Sequence, residues 1–262
     1  MPSVLAIETS SVIGSVCLLR DYEAFTENAL EDVKLSTWLL PAIDRVLQAG
    51  GIEKSELHAI AFGNGPGSFT GVRTACSTAQ ALAYALKKPL YSIDSMQAFA
   101  FGAIHAPTAI SAKSSLNGDK GFIEVILDAR MNELYRQRFS FAARNKLSAK
   151  HSTFAITAMA PPRLLLAGTG DASLSFAVGS GALMSAGPTD DAELIQQITE
   201  YAEMHWAESI AKMALESLLE GGESIAPVDA CPNYVRNNVA KTELERATEA
   251  QLRARPLQSA AA

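Results

Sequence analysis

The chain has 262 residues, 48% of them hydrophobic and 19% charged, which is typical of a soluble globular protein and excludes a disordered one. Its net charge of −6, with no basic cluster visible in the first 230 residues, argues against a protein that binds nucleic acid by itself. No apolar run reaches the length of a membrane span, so we expect a cytoplasmic protein with no membrane partner. The cysteines, Cys17, Cys76 and Cys231, lack metal-like spacing and suit a reducing compartment.

The first part of the chain predicts an α/β unit that opens with a β-hairpin. Short apolar runs predict strands, and apolar residues at helical spacing predict helices. The hairpin turn carries a carboxylate and hydroxyls, beginning with Glu8 and Thr9. The predicted strands span residues 4–7, 14–19, 22–29, 58–62 and 89–93, and the predicted helices 35–47, 72–86 and 99–104.

A glycine-rich stretch, GNGPGSFTGVR over residues 63–73, joins the fourth strand to the following helix. It is not a phosphate-binding P-loop, because Gly71 is followed by Val72 and Arg73 instead of Lys and Ser or Thr. It is not a nucleophile elbow either, because Ser68 lacks a glycine two residues away on each side. We expect Ser68 to cap the helix. The hinge residues are Gly63, Gly65, Pro66, Gly67, Ser68 and Gly71.

A second unit begins after the helix that ends near residue 104. Strands are predicted over residues 122–127 and 133–141, with a hairpin turn at Asp128 that repeats the form of the first hairpin, and residues 163–170 are predicted to be a strand that runs into a glycine loop. Helical periodicity runs from Asp190 to Leu219 and is interrupted near His205. We therefore predict an N-terminal domain over residues 1–105, a C-terminal domain over 106–235 and a tail over 236–262. The last helix, about 205–220, is a candidate to pack back on the first domain.

Four stretches resemble the TsaB family, also called YeaZ, which bacteria use in making threonylcarbamoyladenosine in transfer RNA. The resemblance covers most of the chain and implies two ribonuclease-H-like units of the sugar kinase, actin and Hsp70 (ASKHA) superfamily. The stretches are residues 63–73, 128–135, 163–170 and 232–239.

The resemblance also implies a role and partners. It implies a non-catalytic scaffold or activating subunit that works with TsaD and the ATPase TsaE on tRNAs reading codons that begin with A. It implies a homodimer alone, a heterodimer with TsaD, and contact with tRNA only through the complex. No cofactor is implied beyond weak ATP or ADP binding in the complex.

In that superfamily the first hairpin approaches nucleotide phosphates. The phosphate-proximal candidates by resemblance are Glu8, Thr9, Asp128, Gly168 and Gly170. The alternative for the first hairpin is a turn whose side chains only satisfy backbone groups, and for residues 168–170 it is that a glycine loop after a strand is a common turn. Two rival functions stay open: a nucleotide-dependent transferase or kinase of the same superfamily, and a peptidase, although no nucleophile and base are visibly paired.

The resemblance further implies a lost metal site. The catalytic paralogue TsaD binds metal through a His-Met-Glu-Gly-His motif, whose place falls here at Ser95–Phe99, and both ligands are absent. We expect the neighbouring Asp94 to cap a turn or helix. Leu35 stands where TsaB sequences usually carry His, which puts any role of that side chain in doubt.

The helix after the hinge carries a second stripe, made of small residues. No charged residue occurs between Thr74 and Leu86, which suits the centre of an interface. The alternative is that the stripe packs within the monomer against the long helix after Asp190. The predicted interface residues are Trp38, Arg73, Thr74, Ser77, Thr78, Ala81 and Ala85.

Overall fold

The first sheet contains five strands. In this computed structural model the described residues are 2–11, 13–29, 33–107, 120–143, 154–166, 177–185 and 192–236. The strands are β1 (Ser3–Glu8), β2 (Ser15–Arg20), β3 (Glu23–Asn28), β4 (Ala59–Gly63) and β5 (Leu90–Ile93). Their spatial order is β3-β2-β1-β4-β5; the hairpin strands run antiparallel, and β4 and β5 continue parallel to β1. The central strands β1 and β4 are buried throughout and mostly apolar because helices cover both faces of the sheet.

Two helices cover one face of this sheet: α1 (Leu35–Ala49) and α2 (Phe69–Leu86). Their buried stripes enclose a core with the alternate residues Leu5, Ile7, Val16 and Leu18 of the hairpin. A third helix, α3 (Ser95–His105), follows β5 and is buried almost all round.

The second sheet is built on a long hairpin, β6 (Lys120–Arg130) and β7 (Glu133–Ala143). Three shorter strands complete it: β8 (Phe154–Ala158), β9 (Arg163–Leu166) and β10 (Ala177–Val178). The order is β10-β6-β7-β8, and β9 pairs with the other end of β7. Ile126 and Leu134 on its outer face pack with Ala182 of α4 (Ser180–Ser185), while its inner face turns towards α3.

The two sheets share one buried core. The last two helices are α5 (Ala192–Met204) and α6 (Trp206–Leu219), and the chain bends between them at His205. α6 lies on β1, β2 and β4, so the end of the second unit packs on the first sheet. Residues of α3, α5 and α6 lie between the sheets in the same cluster as Val4 and Val125.

The structure confirms the predicted fold class, and it refines two helix boundaries. α2 begins at Phe69 and α3 at Ser95, earlier than their apolar periodicity, because Ser68 and Asp94 cap them through side-chain oxygens. The division at residue 105 stays a prediction. Gly168, Gly170 and the tail beyond Arg236 lie outside the described residues. Within the described part of the chain, no helix is both long and apolar enough to cross a bilayer.

Candidate functional site

The hinge, residues 63–71, is held by the first hairpin turn. The Ser68 N–H donates to the Ser10 carbonyl at 2.7 Å, and the Thr9 hydroxyl donates to the Gly71 carbonyl at 2.7 Å. The Ser68 hydroxyl accepts from the Gly71 N–H at 3.4 Å, which confirms the predicted cap. Thr9 is fully buried against α2 and its hydroxyl holds the hinge, so its proximity to a phosphate stays a prediction.

Glu8 is also fully buried, at the point where β1 and β4 lie side by side. Its carboxylate accepts from the Ser10 N–H at 2.5 Å and from the Ser95 hydroxyl at 2.7 Å. The Ser95 oxygen in turn accepts from the Gly65 N–H at 3.0 Å, and a Cβ on Gly63 would lie 1.8 Å from the carboxylate. The Glu8 carboxylate therefore faces β4 and α3, which favours the alternative that this turn satisfies backbone groups, and its proximity to a phosphate stays a prediction.

This burial predicts a pH dependence of stability. Desolvation raises the pKa of Glu8 above its ordinary value of 4.5, although hydrogen bonds from Ser10 and Ser95 act in the opposite direction. A raised folded-state pKa gives a stabilisation that is complete below the unfolded pKa and is lost as pH rises through the folded one. We expect the free energy of unfolding of wild type, minus that of Glu8→Gln, to fall as pH rises above about 4.5. Urea unfolding across pH would check this, and a difference that rises with pH would contradict it.

A cleft of about 460 Å³ lies between the two units, beside the hinge. It is lined by the hinge from Pro66 to Phe69 and by the turn of the second hairpin, with Glu203 and Trp206 on the helical side. Asp128 lines the cleft, and its carboxylate pairs with Arg130 at 3.4 Å and accepts from the Arg130 N–H at 2.7 Å; its proximity to a phosphate stays a prediction. Of Glu8, Thr9 and Asp128, the structure thus brings only Asp128 to the cleft.

The stretch from Pro232 to Arg236 bridges the two units over this cleft. The Asn233 N–H donates to the Asn64 carbonyl at 2.7 Å, beside the hinge. The Arg236 guanidinium donates to the Ala129 carbonyl at 2.9 Å and forms an ion pair with Glu133, in the second hairpin. The fourth family-like stretch therefore fastens the hinge to the second sheet.

The place predicted for a lost metal site is filled by packed side chains. The Trp206 indole N–H donates to the Ser95 carbonyl at 2.8 Å, and its ring meets the edge of Phe99 at 4.9 Å between centroids. Asp94 accepts from the Gln97 N–H at 2.8 Å, which confirms its capping role. In the part of the chain that the structure describes, no group of three or more His, Cys, Asp or Glu residues could hold a metal ion. Serine and phenylalanine do not offer the imidazole or carboxylate donors that such metals prefer.

The predicted interface residues of α2 lie on its outer side, whereas the proposed anchor on α1, Trp38, packs in the core. Ser77, Ala81 and Ala85 are exposed, and Thr74 and Thr78 are half-buried. Trp38 is only 9% exposed and packs with Leu39 and Ile43 in the first core, which favours a core role over an interface anchor. Its large apolar side chain is enclosed because it lies on the inward stripe of α1.

Sequence reasoning missed the aromatic residues around this face. Tyr84 is 78% exposed on α2, one turn beyond Ala81, and it interrupts the small-residue stripe there. Arg73 lies 3.7 Å over the Phe69 ring and donates to the Tyr234 hydroxyl at 2.6 Å. A shallow groove of about 580 Å³ runs between this cluster and Ser77. The exposed face of α2 thus has an aromatic residue near each end of the helix, Phe69 and Tyr84, and uncharged small residues between them.

Comparison with known proteins places the chain in a family. Residues 32–244 match the family model described as TsaD: tRNA N6-adenosine threonylcarbamoyltransferase. The "tRNA threonylcarbamoyladenosine biosynthesis protein TsaB" of Escherichia coli is 28% identical over 92% of this chain and 97% of its own. The protein of the same name from Haemophilus influenzae is 34% identical over 58% of each chain. The chain belongs to this family, and within it to the TsaB proteins.

A solved structure agrees with this membership. "YeaZ from Pseudomonas aeruginosa" superposes with a TM-score of 0.64 at 25% identity, covering 89% of this chain and all of that one. The match to the H. influenzae TsaB spans little more than half of that protein, whereas the E. coli and P. aeruginosa proteins are matched over nearly their full lengths. The TsaB-like stretches at residues 63–73, 128–135 and 232–236 all contribute to the lining of the cleft.

Proposed function

We propose that this TsaB-type chain is a non-catalytic subunit that pairs with TsaD and, together with TsaE, supports formation of threonylcarbamoyladenosine in tRNAs that read codons beginning with A. The observation that carries the proposal is the outer face of α2, where Ser77, Ala81 and Ala85 are exposed and uncharged. Small side chains let a second helix approach closely, and exposed Tyr84 supplies the large aromatic contact that interfaces favour.

The buried residues support a non-catalytic role. The Ser95 hydroxyl donates to Glu8 and accepts from the Gly65 N–H, and the Ser95 carbonyl accepts from the Trp206 indole, so both groups already have hydrogen-bond partners. A transferase or kinase using Glu8 and Thr9 would need both at the cleft, and both are buried away from it. A cysteine peptidase at Cys17 is also disfavoured, because burial raises the pKa of that thiol to about 12 and keeps it protonated at neutral pH.

The double variant Ser77→Glu with Ala81→Glu tests the proposal. The two carboxylates would be desolvated without partners at a helix–helix contact, so we expect pairing with TsaD to weaken by at least about 100-fold, which corresponds to roughly 3 kcal/mol. Both positions are exposed in the isolated chain, so its free energy of unfolding should change by less than about 0.5 kcal/mol. Sedimentation with TsaD would measure the pairing.

Reconstitution completes the test. The chain, TsaD, TsaE and unmodified tRNA are combined, and threonylcarbamoyladenosine is measured by mass spectrometry of the digested tRNA. We expect product with all proteins present, none with this chain alone, and little with the double variant. Glu53→Gln with Lys54→Gln, which changes two exposed residues away from α2, is the control. Product from the isolated chain, or undiminished pairing of the Glu variant, would refute the proposal.

A further inference from the structure

The outer face of the second sheet gathers three arginines that are far apart in sequence. Along β7, Tyr135, Gln137 and Phe139 point to the shared core, so Arg136 and Arg138 point to the opposite face. Arg163 on β9 lies directly across from Arg136 in the antiparallel register, so its side chain joins the same face. Residues two apart along a strand are separated by about 7 Å, so the three cations form one compact group.

These arginines have too few acidic partners in the described residues. Arg136 forms a bidentate ion pair with Glu124, with its Nε 2.6 Å from Oε1 and its Nη2 3.1 Å from Oε2. The Arg138 Nε lies 3.9 Å from the same Oε1. No ion pair of Arg163 with a described residue occurs. Glu124 already compensates Arg136, so the charges left for an external anion are those of Arg163, directly opposite Arg136, and of Arg138, two residues further along β7.

The charge of the surrounding sequence has the same sign. Residues 120–166 contain eight Lys or Arg and three Asp or Glu, a net charge of +5 in a chain whose overall charge is −6. The expectation drawn from the sequence, that no basic face is visible in the first 230 residues, did not take this face into account. The face was hidden because its cations alternate with core residues along β7 and come from two different strands.

An exposed aromatic residue completes the face. Phe122 on β6 is 54% exposed, and it lies opposite Ser140, one position along the face from the Glu124–Arg138 pair. The guanidinium group of arginine can donate two hydrogen bonds to the oxygens of one phosphate, and exposed aromatic rings on a sheet provide stacking surfaces for unpaired bases. An acidic protein would use the cations but has no need of an isolated exposed ring.

We propose that this face, formed by Phe122, Arg136, Arg138 and Arg163, binds an RNA strand through its phosphates, with Phe122 stacking on a base. The inference rests on the proposed function, because it places the tRNA of the modification complex against this subunit. It changes the expectation that tRNA is contacted only through the complex: the chain contributes a direct contact, and weak binding by the chain alone should be measurable at low salt.

The test is an anisotropy titration of labelled, unmodified tRNA transcript with the full chain, at about 50 and about 200 mM salt. We expect Arg138→Glu with Arg163→Glu to weaken binding at least about tenfold and to flatten the dependence of log K on log salt by roughly 1.5, since two phosphate contacts are lost. The milder Arg138→Gln with Arg163→Gln should show the same flattening, and it keeps the test valid if the Glu variant folds poorly. Phe122→Ala should weaken binding without changing the salt slope, because stacking releases no counterions.

The matched control reverses two cations of the first unit. Arg45 and Lys54 are as exposed as Arg138, and Arg45→Glu with Lys54→Glu changes the net charge by the same amount. An equal loss in this control would overturn the proposal, because net charge alone would explain the effect. Unchanged tRNA binding by the Arg138 and Arg163 variant, loss of TsaE binding in place of tRNA binding, or no tRNA binding by wild type would also overturn it. If the wild-type chain still supports threonylcarbamoyladenosine formation in the reconstitution, the proposed function stands and only the RNA-binding face is refuted.

Discussion

Replacing Gly71 with alanine is expected to destabilise the protein by about 3 kcal/mol or more, the upper range for overpacking a core. A Cβ at this position would lie 1.8 Å from the Thr9 carbonyl oxygen and 2.8 Å from the Thr9 carbonyl carbon. These are backbone atoms of the turn between β1 and β2, so no side-chain rotation can relieve the contact. The first turn of α2 would have to move away from the hairpin.

That movement would break the contacts that define the hinge. The Thr9 hydroxyl would lose the Gly71 carbonyl, and the Ser68 N–H would lose the Ser10 carbonyl. The Thr9 hydroxyl is buried, and a buried polar group left without a partner is destabilising by about 1–3 kcal/mol. Because α2 carries the proposed partner face, we also expect weaker pairing with TsaD, even in the fraction of molecules that remains folded.

Urea unfolding of Gly71→Ala beside Gly14→Ala would measure the effect. A Cβ on Gly14 would lie 2.6 Å from a terminal carbon of Leu35, a half-buried side chain that can rotate away. The control should therefore lose less than about 1 kcal/mol. Equal losses in the two variants would show that the hairpin and α2 do not touch as described, and that the glycine of the hinge serves only loop flexibility.

The sequence was sufficient for the fold class and for most of the elements because those signals are local, whereas the short elements β8, β10 and α4 were not predicted. Buried strands appear as apolar runs, and the amphipathic helices α1 and α2 show apolar periodicity that survives without knowledge of their neighbours. The cap at Ser68 was predictable for the same reason. Family motifs supplied the order of the two units, which local patterns alone do not contain.

The site was less predictable because it depends on which side of each element faces which neighbour. Glu8 follows a buried strand, and nothing in the local sequence tells whether its carboxylate faces the cleft or β4. Trp38 could serve as a core residue or an interface anchor at the same helical position. The arginines of the second sheet became a group only through the strand register that pairs Arg136 with Arg163.

Trp206→Ala is expected to destabilise the protein by about 3–5 kcal/mol, as is usual when a large aromatic residue is removed from a core. Trp206 is 2% exposed at the first position of α6, where helices from both units lie between the sheets. Its ring packs on Phe99 of α3, and its indole N–H donates to the Ser95 carbonyl. Removing it opens a cavity at the junction of the two units and leaves that carbonyl without its donor.

Trp206→Phe separates the two contributions, because it keeps much of the packing and loses only the indole N–H and part of the ring. We expect it to lose about 1–3 kcal/mol, the usual range for a buried group left without its hydrogen bond. Trp38→Phe is the matched control. That indole has no hydrogen bond to a described residue, so the same change should be less destabilising there.

Urea unfolding followed by circular dichroism suits all three variants, because each tryptophan substitution changes the fluorescence itself. A loss below about 1 kcal/mol for Trp206→Ala would contradict a core shared by the two sheets. If Trp38→Phe lowers the free energy of unfolding as much as Trp206→Phe does, the hydrogen bond to Ser95 does not explain the effect of Trp206→Phe. If Trp206→Ala is the most destabilising of the three variants and Trp38→Phe the least, the segment Ser95–Phe99 connects the two units. Trp206 of α6 then stabilises the fold both by packing on Phe99 and by its hydrogen bond to the Ser95 carbonyl.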